Sequence, residues 1–144
     1  MTELNGEMLA ELRAAFLTES MNVQRYAHFA EVAGIEGHLA LAELFQKLCA
    51  TTACVARGHL DLLQEVVDPA TDLPMGGTGS NAACALAGEL DETTRLYPRL
   101  ATAAHDTGLA DVASWFETLV ALKKAHTARL EQALATVTPE GEAP

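Results

Sequence analysis

The chain has 144 residues, 49% of them apolar, and carries 9 basic against 20 acidic residues for a net charge of −11. That length suits one domain with a single sizeable core. A chain this acidic lacks the electrostatic footprint of a nucleic-acid binder and is repelled by anionic membranes, so neither is an expected partner.

Abundant Ala and Leu and only five prolines favour helix throughout. Asn5 is a suitable N-cap for a first helix running to about Ala33, where Gly34 offers a stop. Its seam reads Met8, Leu12, Ala15, Glu19, Asn22, Tyr26, Phe29 and Ala33, spaced by fours and threes. It turns polar in the middle, at Glu19 and Asn22.

The second helix is expected from Gly37 or His38 to Val67, with Asp68-Pro69 closing it. Its seam is Leu41, Phe45, Leu48, Thr52, Val55, His59, Leu62 and Val66. Residues 69–80, with Pro74 and the run Met75-Gly-Gly-Thr-Gly-Ser, read as a crossover. This run has neither the lysine nor the preceding strand of a phosphate-cradling loop.

A third helix is predicted from Ser80 or Asn81, with Ala82, Leu86, Glu89, Thr93, Leu96 or Tyr97, and Leu100 on one face. Pro98 falls inside it and predicts a kink or bulge. Asp106-Thr107-Gly108 turns the chain into a fourth helix that ends at Val137, and the tail 138–144 reads as disordered. Adding 71 to the second seam gives Val112, Phe116, Leu119, Lys123, His126, Leu130, Ala133 and Val137, so the chain repeats itself. Two hairpins with a short turn in each and a longer crossover describe an all-α, ferritin-type four-helix bundle spanning residues 1–137.

Polar residues in an apolar seam are the main functional clue, because buried charges cost several kcal/mol unless paired or ligated. Cys49, Cys54 and Cys84 are odd in number, lack a CxxC pattern and read as buried reduced thiols. The start shows neither a basic region nor an apolar run, and no stretch approaches about 18 unbroken apolar residues, so the cytoplasm is the expected location.

Two stretches carry a family resemblance. Thr-Glu-Ser-Met-Asn-Val-Gln-Arg-Tyr at 18–26 places a glutamate seven residues before a tyrosine, and Gly88-Glu89-Leu-Asp-Glu92-Thr precedes Leu96-Tyr97-Pro98. Both resemble the first- and third-helix motifs of rubrerythrins, and the similarity runs over about residues 8 to 135. The resemblance implies a ferritin-like bundle, a homodimer, and a diiron carboxylate site that reduces peroxides with electrons from a rubredoxin-like domain. This sequence has no cysteines in its C-terminal part for such a domain. By position, the resemblance implies metal ligands at Glu19, Glu89, Glu92 and His126. Thr52, Val55 and Lys123 stand where it implies glutamate, histidine and glutamate.

The missing glutamates are those that bridge the two irons in the family, so a working diiron peroxidase is not expected. One reading is a metal-free ion network in which the ammonium of Lys123 neutralises Glu19, Glu89 and Glu92. A second keeps one divalent ion (Fe, Mn or Zn) on Glu89 and His126, aided by Glu92 or Glu19. A third makes Lys123 a base or nucleophile of lowered pKa. A fourth is a cavity for an unidentified organic ligand. His59 could supply a displaced ligand or sit as a core histidine, while His28, His38 and His105 fall toward the hairpin ends. Tyr26 and Tyr97 are expected to bond their hydroxyls to seam carboxylates, and Trp115 to serve packing or an interface.

Overall fold

The computed structural model describes residues 4–137. Asn5 caps the first helix as anticipated: its side chain accepts a hydrogen bond from the Met8 amide at 2.8 Å. From there α1 runs Gly6–Ile35, passing through Gly34 without a break. The stop is Gly37 instead, in the left-handed region at φ +84°. There Gly37 N donates to Gly34 O and His38 N to Ala33 O, which satisfies the last carbonyls. Helix α2 then spans Leu39–Leu63. It ends earlier than expected because the amides of Val66 and Val67 both turn back to the Leu63 carbonyl and tighten the final turn.

α3 is Thr78–Asp91. It starts before Asn81 because that side chain does not cap it. Asn81 instead folds back on the crossover, accepting from Gly76 N at 2.7 Å and donating to Gly76 O at 3.3 Å. A π-helical turn, Glu92–Leu96, follows where Pro98 predicted irregularity. α4 is Tyr97–Asp106 and α5 is Ala110–Leu134. α5 stops short of Val137, and the expected disordered tail at 138–144 lies outside the described residues. Gly108, at φ +75°, repeats the cap of Gly37, with Gly108 N bonded to His105 O and Leu109 N to Ala104 O.

Every regular element among the described residues is helical. The chain divides into two units, Met1–Pro69 and Ala70–Pro144. In the first, α1 and α2 meet through Ala30, Ala33, Ala42 and Ala56, with Leu63 wholly buried. Small side chains along the contact let the two backbones approach closely. In the second, α4 and α3 pack on α5 through Cys84, Thr93, Ala101, Ala104, Ala113 and Thr127. Leu41, Leu48, Val55, Leu62 and Val66 on the α2 seam retain 39–45% exposure. Two helices of a hairpin bury only the line along which they touch, and alanines occupy that line.

No run of 18 unbroken apolar residues occurs, since Glu43, Gln46, Lys47 and Arg57 interrupt α2, yet this helix is long and apolar enough on average to cross a membrane. That holds by length and composition alone, since an 18-residue window of it contains no more than two charged residues.

A lysine–carboxylate cluster in the second hairpin

Four of the residues singled out by the sequence meet within the second hairpin. Glu89 lies near the end of α3 and Glu92 one turn later, as the first residue of the π-turn. Lys123 and His126 stand three residues apart on α5 and so share a face. Lys123 Nζ donates to Glu89 Oε1 at 3.1 Å and lies 3.3 Å from Glu92 Oε2. His126 Nδ1 is 3.4 Å from Glu89 Oε2, which is buried and has no hydrogen-bond partner.

Two buried threonines flank the cluster. Thr93 Oγ1 donates to the Glu89 carbonyl at 2.7 Å and Thr127 Oγ1 to the Lys123 carbonyl at 2.9 Å. Neither was singled out for this role, although their places four residues after Glu89 and Lys123 allow hydrogen bonding back along a helix.

Burial acts to lower the pKa of Lys123, but its hydrogen bond to Glu89 and the adjacent charge of Glu92 outweigh that, and the pKa is raised above 10.5. The ammonium is therefore the stable form. This opposes a catalytic lysine of lowered pKa.

Glu19 belongs to the first hairpin, where it is half-buried on α1 and accepts from Asn22 Nδ2 at 2.9 Å. Asn22 in turn accepts from Arg25 Nη1 at 2.8 Å, and that guanidinium lies 5.3 Å over the Phe29 ring. The Glu19 carboxylate thus has a neutral amide donor of its own. Thr52 and His59 are half-buried on α2 and Val55 is exposed there.

Several expectations need correction. Neither tyrosine hydroxyl bonds a carboxylate among the described contacts. Tyr26 stacks on Phe45 at 6.4 Å and Tyr97 packs on Phe116 at 6.0 Å, so ring contacts place them. Of the cysteines only Cys84 is buried, its Sγ donating to the Pro74 carbonyl at 3.2 Å; Cys49 is half-buried and Cys54 is exposed. Trp115 is 60% exposed. His105 is exposed near the hairpin end, as its place in the chain implies, and its Nε2 meets Glu117 Oε1 at 2.6 Å, joining α4 to α5.

Among the described residues no group of three or more His, Cys, Asp or Glu side chains is disposed to hold a metal ion. Glu89, Glu92 and His126 have suitable donor types, but the Lys123 ammonium bridges the two carboxylates.

Helical arms paired in two hairpins, with carboxylates and a histidine at mid-helix, define the ferritin-like class of all-α protein. Comparison with known proteins makes this specific. No family model matches the chain. Rubrerythrin-1 of Clostridium acetobutylicum is 30% identical over 149 residues, covering 95% of this chain and 75% of the relative. The rubrerythrin of Porphyromonas gingivalis is 31% identical over 130 residues, covering 88% and 65%. A putative rubrerythrin of Methanocaldococcus jannaschii is 28% identical over 148 residues, covering 91% and 71%. The chain belongs to the rubrerythrin family.

Proposed function

We propose that this chain is a rubrerythrin-family protein with an eroded diiron site, in which Lys123 neutralises the core carboxylates and peroxidase activity is lost. The observation that carries the reading is the placement of Lys123 Nζ, 3.1 Å from Glu89 and 3.3 Å from Glu92. An ammonium is a compact cation with three donors and can satisfy two carboxylates at once. A metal pair at this point would have to displace it. It would also lack the anions that the resemblance assigns to Thr52 and Lys123, so the residues present do not fit a diiron centre. The protein is then a binding or structural member of its family and, by the same resemblance, a homodimer.

One observation favours a second reading. The buried Glu89 Oε2 has no hydrogen-bond partner and faces His126 Nδ1 at 3.4 Å. An orphaned buried oxygen costs free energy, and a single Fe, Mn or Zn ion on Glu89, Glu92 and His126 would satisfy it once Lys123 moved aside. The two readings separate on peroxide consumption by protein exposed anaerobically to Fe(II). The eroded site predicts the rate of free iron alone; turnover that is abolished by Glu89→Ala contradicts it.

A further inference from the structure

The first hairpin carries a groove on a face other than its seam. Ser20, Ala27 and Gly34 on α1 and Ala42, Cys49 and Ala56 on α2 form its floor, each one residue on from a seam position. Two cavities of about 800 Å³ and 300 Å³ follow one another along it. From Phe16 to Ile35 the lining runs along about 28 Å of α1, the length of a helix of about five turns.

The second hairpin shows what would close such a groove. At the 71-residue offset Gly34 answers His105 and Gln46 answers Glu117. In the second hairpin those two side chains meet at 2.6 Å and bridge its helices. In the first, a Cβ on Gly34 would meet nothing within 4 Å, and the space stays open. The charge differs as well. Glu31 on α1 and Glu43 on α2 line the open end, where the second hairpin has the neutral Thr102 and Ser114. Lys47 reaches Glu43 at 3.4 Å, but the two side chains are 73% and 67% exposed, and a pair so solvated holds Glu43 only weakly. Arg57 lines the opposite end. Ile35 and Leu39, 85% and 72% exposed, add bare apolar surface beside Gly34.

We infer that this groove docks a basic amphipathic helix of a protein partner. A floor of small residues admits large apolar side chains, the arrangement by which a groove takes up the apolar face of a helix. Glu31 and Glu43 favour lysine or arginine at the Gly34 end, and Arg57 sets the direction, since the basic end of the occupant avoids it. A second copy of the chain suits the face less well, because it brings its own net charge of −11 to an acidic surface. The inference concerns the first hairpin alone and does not depend on the Lys123 cluster.

The test is a fluorescence-anisotropy titration of the full chain at physiological salt. The probes are a labelled peptide of about 18 residues, with leucine and lysine at amphipathic spacing, and its glutamate-for-lysine counterpart. The lysine peptide should bind and the glutamate peptide should not. Glu31→Gln with Glu43→Gln should weaken binding about fivefold, while Thr102→Lys with Ser114→Lys, the same change in net charge at the equivalent places, should leave it within about twofold. Gly34→Trp should weaken it too, by filling the groove without altering charge. Circular dichroism checks that each variant is folded. No binding of the lysine peptide, equal binding of the glutamate peptide, equal loss with both charge pairs, or unchanged binding to Gly34→Trp would each overturn the proposal. So would sedimentation showing a parent dimer that Gly34→Trp converts to monomer, because a second copy would then cover the groove.

Discussion

Lys123 Nζ on α5 lies 3.1 Å from Glu89 Oε1 on α3, and the two side chains retain only 19% and 18% of their exposure. Their separation in sequence is large, yet the contact lies wholly within one hairpin, because α3 and α5 pack side by side there. Removing the cation alone strands a carboxylate whose second oxygen already lacks a hydrogen bond.

Lys123→Met is therefore expected to destabilise the protein by about 1–3 kcal/mol. Glu89→Gln in the Lys123→Met background should recover part of that loss, since it removes the stranded charge. Urea unfolding of the four proteins in the cycle measures both effects. Additive losses would show that the contact contributes nothing.

The pH dependence has a definite sign. A group whose pKa is raised on folding adds stability below its unfolded pKa, and that stability is lost as pH rises through the folded value. For Lys123 the folded value lies above 10.5. The melting-temperature difference between the parent chain and Lys123→Met should thus be constant through neutral pH and shrink only in strongly alkaline buffer. A difference that vanishes below neutrality would assign the effect to other groups.

The equivalent turns predict equal penalties. Gly37→Ala and Gly108→Ala each force a side chain into the left-handed region and should cost about 1 kcal/mol. Gly34→Ala, inside α1 with open space around its Cβ, should instead stabilise by about 0.5–1 kcal/mol. Thermal melts of the three variants distinguish a turn glycine from a helix glycine.

Leu63 is the large side chain buried without remainder. Leu63→Ala should cost about 2–4 kcal/mol in the same assay, through lost burial and the cavity left behind.

The hairpins were legible in the sequence because their signals are local. Asn5, the seam spacing and the 71-residue repeat do not depend on distant partners. The first turn was misassigned to Gly34 because either Gly34 or Gly37 can end a helix, and only the backbone shows which adopts positive φ. The cluster was legible as a set of types. Glu89, Lys123 and His126 stood out as polar residues on apolar faces and Glu92 through the rubrerythrin resemblance, and the structure brings the four together.

Glu19 belongs to the other hairpin, where its hydrogen bond runs to Asn22 along its own helix. Such local amide contacts compete with long-range pairing and leave no periodic trace. The π-turn was visible only as a proline.

Metal content tests the central claim most directly. The protein would be purified without a histidine tag, exposed anaerobically to Fe(II), Mn(II) and Zn(II), desalted, and measured by elemental mass spectrometry. The Lys123–carboxylate cluster predicts strongly substoichiometric binding of every metal, with the Lys123→Glu variant binding more than the parent chain. Stoichiometric iron in the parent chain, a pair per molecule and lost on Glu89→Ala, would contradict the account and restore oxidoreductase chemistry to this site.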